Sequence, residues 1–183
     1  MFGFHEQNAI GQRGERLFLE QHPEWSANNL NEHCKEPDFK DEHGRKLELK
    51  FDVSPRARRD KKGAQLNFFM ETISNNTKQT PGGVFRAQQE GVDFYVYMFE
   101  QPFRMFILDV NKTAKRVQDL IDTGWYRKCK IKNRYYYTEG YPLPIEKFES
   151  CITNFAVPVK SQSNQNLSIL SAESPPDDSA ETL

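Results

Sequence analysis

Glu36-Pro37-Asp38-Phe39-Lys40 and, past the turn Asp41-Glu42-His43-Gly44, Leu47-Glu48-Leu49-Lys50-Phe51-Asp52 decide how this chain is read. Successive side chains of an extended strand alternate between faces, so Glu48 and Lys50 share one face while Leu47, Leu49 and Phe51 share the other. The turn holds the Asp and Gly that a tight reversal uses, and a hairpin there carries Asp38 back beside Glu48 on the neighbouring strand. Two carboxylates and one amine then form a single cluster on the polar face.

Such a cluster suits phosphodiester hydrolysis, which needs the phosphate charge neutralised, a water activated and the leaving oxygen stabilised. Mg²⁺ takes oxygen ligands and is usually held by one or two carboxylates plus substrate phosphate. Asp38 and Glu48 are the expected metal ligands, with the Leu49 carbonyl between them, and Lys50 would lie beside the attacking water, to orient it or take its proton. The alternative reading of the same residues is a hairpin with a surface ion pair, which contributes little to stability.

Upstream, Asn8 to Gln21 reads as an amphipathic helix with Ile10, Gly14, Leu17 and Phe18 on one face and Glu15 beside it; Pro23 closes the pattern. Gly11 and Gly14 cost helix stability relative to Ala, which suggests close approach to another element. Between Trp25 and Lys35 the chain is polar and Asn-rich, as expected for a loop or short irregular strand. Downstream of Asp52, the Pro- and Gly-bounded loop from Val53 to Gly63 carries Arg56, Arg58, Arg59, Lys61 and Lys62. It is either a solvated connector or, since it leaves the catalytic strand directly, a set of DNA phosphate contacts, the reading favoured here.

Leu66 to Ile73 has strand composition, with Asn67 and Glu71 on one face where they either support the site or form a polar outer surface. A turn at Thr80-Pro81-Gly82-Gly83 leads into a short helix stopped by Gly91, then a densely aromatic buried strand, Val92 to Phe99, with Phe103 to Leu108 as its antiparallel neighbour. Asn111 or Thr113 is expected to cap a helix running to about Asp122, with Gly124 at its end. Trp125 to Thr138 alternates cations and aromatics as a strand or hairpin, suited either to backbone contact with base stacking or to ordinary core and rim positions. A last short element lies around Phe148 and Ile152.

The 183 residues, 37% hydrophobic with 14 Phe and 7 Tyr, can build a real core, so residues 1–160 are expected to form one domain. From Ser161 to Leu183 the Ser, Asn, Gln, Asp and Pro content predicts a disordered acidic tail. Without that tail the chain carries a net charge of +3, which permits a nucleic-acid partner. Cys34, Cys129 and Cys151 are odd in number and far apart, so neither a disulfide framework nor a thiolate zinc site is expected. With reduced thiols, no secretory start and no apolar run of membrane-spanning length, the expected compartment is the cytoplasm, with no membrane partner. The histidines form no metal-binding spacing, and Gly82-Gly83 lacks the Lys-Ser or Lys-Thr of a phosphate-cradling loop.

Pro37-Asp38, nine intervening residues and then Glu48-Leu49-Lys50 resembles the PD-(D/E)xK motif of the restriction-endonuclease-like nuclease superfamily. Gly14-Glu15-Arg16 resembles the acidic helix that commonly precedes it. Asn67 to Glu71, Pro81-Gly82-Gly83 and Gly91 to Tyr97 are similar to small phage-type members, and the likeness covers residues 8 to 108. It implies an α/β fold with a central mixed sheet flanked by helices, followed by a small α+β extension over 109–160. It also implies a Mg²⁺ site at Asp38 and Glu48, Lys50 as the catalytic lysine and Glu15 as an auxiliary acid.

The expected function is a Mg²⁺-dependent DNA endonuclease, with Mn²⁺ able to substitute. Small size and few recognition insertions favour a structure-selective, junction-resolvase-like enzyme or one relaxed in sequence, and a homodimer is one form it could take. The alternative is a non-catalytic DNA-binding or assembly protein on the same fold, in which the acids serve structure.

Overall fold

The computed structural model describes residues 4–27, 37–53 and 66–155. The opening hairpin forms as its sequence predicts. Strand β2 (Phe39–Asp41; β1 is Trp25–Ala27) pairs antiparallel with β3 (Lys46–Asp52), Phe39 opposite Leu47, which carries the preceding Asp38 to the level of Glu48. Gly44 adopts φ +76° in the turn, and the Asp41 carboxylate accepts from the backbone N–H groups of His43 and Arg45 at 3.0 and 2.8 Å.

Strands β6 (Phe94–Phe99) and β7 (Arg104–Asp109) complete a mixed five-stranded sheet of order β1-β2-β3-β6-β7, in which only β3 and β6 run parallel. Helix α1 (Phe4–Gln21) starts earlier than its periodicity suggests and covers one face, where Phe18, Trp25, Phe39, Leu47, Val96 and Met98 are buried and Leu49 and Phe51 pack against them. Gly14 lies against Phe51, whose Cβ would stand 2.6 Å from an added methyl group, while Gly11 has open space around it. The expectation of close approach holds for Gly14 and not for Gly11. Gly11→Ala is therefore expected to stabilise the fold by about 0.5–1 kcal/mol and Gly14→Ala to destabilise it by about 1–3 kcal/mol, measured by urea denaturation. Similar shifts in both variants would disprove the contact.

A second, antiparallel sheet of order β5-β4-β9-β8 joins β4 (Asn67–Asn75) and β5 (Thr80–Pro81) to a C-terminal hairpin, β8 (Cys129–Lys132) and β9 (Tyr137–Pro144). Helix α2 (Gly83–Gln89) packs on β4, and α3 (Val110–Asp122) packs on α2, on β7 and on a 3-10 segment (Ile145–Cys151). The cap of α3 is Asp109, whose carboxylate accepts from the Lys112 N–H at 2.8 Å, rather than Asn111 or Thr113; Thr113 is fully buried inside the helix.

Between this layer and the first sheet lies the larger core, including Phe68, Met70, Tyr95, Tyr97, Phe99, Val117, Leu143 and Phe148. The β3–β6 register sets Glu48, Lys50 and Asp52 beside Tyr95, Tyr97 and Phe99, so the polar face of β3 looks into the space between the sheets. Tyr97 ties the layers together: its hydroxyl donates to Asp52 and accepts from the Phe69 N–H, both at 3.1 Å. The fold is thus α/β with a mixed sheet and flanking helices, plus a second sheet that the sequence pattern left undescribed. No helix among the described residues is long and apolar enough to cross a membrane.

Candidate active site

Alternation along β3 and the reversal at Gly44 bring Asp38 and Glu48 together, as read from the sequence. One Asp38 carboxylate oxygen accepts the Leu49 N–H at 2.7 Å, which fixes the side chain against β3. Burial pushes the Asp38 carboxyl above its ordinary range, offset in part by that N–H and by Arg86. Glu48 is driven further, to about 7, by burial and by the Asp38 charge, with Arg86 opposing. Glu15, half-buried on α1, is also raised, by burial and then by Asp38. Three acids therefore sense one another at the meeting of α1, β2 and β3.

One cation, Arg86, answers them. The Arg86 guanidinium bonds to a Glu48 oxygen and lies 3.9 Å from Glu90 one helical turn on, while its Nε is buried without a hydrogen-bond partner. Lys50 extends instead to Glu71 of β4, Nζ to Oε1 2.6 Å, across the gap between the sheets. Of the two roles open to Glu71, support of the site is the one the geometry fits.

Arg86 and Glu90 escaped the sequence reading. The available signal was Gly82-Gly83 ahead of a short helix bearing Arg86 and Glu90 at i and i+4 spacing. A Cβ on Gly82 would stand 2.8 Å from the Ser74 backbone nitrogen and 3.0 Å from the Glu71 Cβ; Gly83, at φ +49°, faces the Glu71 carbonyl and the Tyr95 hydroxyl. Only glycine lets α2 start flush against β4, and that seating carries Arg86 over Glu48.

Among the described residues no three His, Cys, Asp or Glu side chains make a metal-holding group. Two carboxylates nevertheless fit magnesium, which commonly completes its shell with water and phosphate oxygens. Burial is the main cause of the raised Asp38 and Glu48 carboxyls, and a divalent cation bound there would favour their charged forms. Arg56, Arg58, Arg59, Lys61 and Lys62, expected to meet DNA, lie outside the described residues.

No protein-family model, no curated protein and no solved structure matches this chain.

Proposed function

We propose that this protein is a Mg²⁺-dependent DNA endonuclease with a restriction-endonuclease-like core. The observation that carries the reading is the convergence of Asp38, just ahead of β2, with Glu48 on β3, whose side chain is only 12% exposed, with Lys50 following on the same face of β3. When bound, the metal would neutralise phosphate charge and favour formation of hydroxide from its water. Asp38, Glu48 and the Leu49 carbonyl are the oxygens that would hold it.

Lys50 aligns the water from the same side, and Glu71 keeps its amine from swinging toward the acids. Glu15 adds negative potential behind Asp38, strengthening the demand for a cation. The Lys50 side chain is 33% exposed.

A second reading has an observation of its own: Arg86 already neutralises Glu48 and Glu71 already neutralises Lys50, as in a structural ion-pair network on a DNA-binding or assembly protein. Incubation with linear, supercoiled and four-way-junction DNA separates the two. The nuclease nicks at least one substrate with Mg²⁺ or Mn²⁺ and none with chelator; binding without scission under every condition selects the non-catalytic protein.

A further inference from the structure

Away from the acids, the outer hairpin of the second sheet has a composition that core packing does not explain. Strand β8 is the sheet edge and is exposed along its whole length. From Trp125 to Thr138 there are five cations and no acid. Lys128 and Lys130 both reach Glu139, at 3.2 Å each, whereas Arg127, Lys132 and Arg134 are exposed and have no carboxylate partner among the described residues.

The aromatics are equally unusual. Trp125 is 85% exposed and Tyr135 78%, with Tyr137 and Ile131 exposed as well, so this one segment holds most of the exposed large apolar side chains among the described residues. The Arg134 guanidinium lies 4.9 Å from the Tyr135 ring centre, a cation held beside an aromatic platform. Lysines on an edge strand commonly serve to block unwanted strand pairing, which accounts for Lys130 and Lys132. They do not account for Trp125 or Tyr135, which lie outside the strand and present flat apolar faces to water.

We propose that this hairpin is a binding surface for single-stranded nucleic acid. Arg127, Lys132 and Arg134 take phosphates, and Trp125 and Tyr135 stack on unpaired bases, the combination by which sequence-tolerant single-strand binders work. Stacking needs bases with free faces, which a duplex does not present. A second copy of this chain is the less suitable occupant, because edge-to-edge pairing would bring these cations against their own kind.

The first strand of the hairpin lies two strands from β4, which carries Glu71. Register aligns Cys129 of β8 with Gly140 of β9, and Gly140 with Glu71 of β4, the residue that holds Lys50. Two strand spacings, about 10 Å, separate that point of the edge from the Glu71 backbone. A strand bound at the Cys129 end of the hairpin would pass two strand spacings from the Glu71 backbone. The inference rests on the nuclease reading for this placement, not for the binding itself.

The test is fluorescence anisotropy with a labelled single-stranded oligonucleotide and its duplex, in chelator so that nothing is cut. The variants are Trp125→Ala/Tyr135→Ala and Lys132→Glu/Arg134→Glu, all at exposed positions where folding is not at stake. Each pair is expected to weaken single-strand binding about ten-fold or more, and the charge pair to flatten its salt dependence by a slope of about 1 or more. Unchanged single-strand affinity in both pairs overturns the proposal, as does an equal loss for duplex in the aromatic pair. Self-association that the charge pair abolishes, with no single-strand binding in the parent protein, assigns the surface to a second copy and likewise overturns it. If the parent protein binds single strands through the hairpin but never cuts with Mg²⁺, the nuclease reading alone fails. If cleavage survives with unaltered binding in both pairs, only the hairpin proposal does.

Discussion

Lys50→Ala is expected to lower Mg²⁺-dependent scission by about a hundred-fold or more while DNA affinity stays near that of the parent protein. Lys50 and Glu48 share a face of β3, so an amine reaching into the cleft can order a water against phosphate held at the acids. Its salt bridge to Glu71, 17% exposed, sets the direction of that reach. Glu71→Gln keeps a hydrogen-bond acceptor but removes the charge, so it should cost less than Lys50→Ala and act on turnover rather than on substrate binding. Glu71 works through Lys50 and is a positioning residue. Nicking assays under single-turnover conditions measure both variants. Full activity in Lys50→Ala would end the nuclease assignment at this site.

The second large effect concerns Arg86. Glu48 in the folded protein is raised from 4.5 to about 7, so the native state holds more protons than the unfolded chain between those values. Stability of the metal-free protein should accordingly fall as pH rises through that window, the reverse of an ordinary paired carboxylate. Arg86 limits the fall by neutralising Glu48. Arg86→Met removes the counter-charge and should destabilise the protein at pH 8 by about 2 kcal/mol, below the loss for a fully buried pair because Arg86 is 43% exposed. The corresponding drop in Tm is roughly 4–8 °C.

At pH 5 Glu48 is mostly protonated and the drop should be less than half as large. Millimolar Mg²⁺ should restore most of the loss at pH 8, since the ion then supplies the charge that the guanidinium did. Thermal unfolding at both pH values, with and without Mg²⁺, measures this. An equal loss at both pH values would mean that Arg86 acts through packing. No recovery with Mg²⁺ would mean that the two acids do not hold the ion.

Much of the site was legible because its parts are close in sequence. Asp38 and Glu48 lie on one hairpin, and the two-residue period with a turn at Gly44 is enough to bring them together and to put Lys50 on the same face, but not to place its amine, which turns to Glu71. The glycine signal in α1 was half right: Gly14 meets Phe51, whereas Gly11, read the same way, meets open space. The cap of α3 was misread by two residues or more, because the helix starts directly at the end of β7, where Asp109 both ends the strand and caps the helix.

The hairpin pairing, the amphipathic helix before it and the antiparallel pair β6 and β7 were thus determined by local pattern alone. What only the tertiary structure decided are the partners that come from far along the chain: Arg86 on Glu48, Glu71 on Lys50, and β9 beside β4. Alternation states which way a side chain points but not what stands opposite it. That depends on how the second sheet and α2 pack on the first, a matter of volume and close approach at Gly82 and Gly83 that no short-range period records.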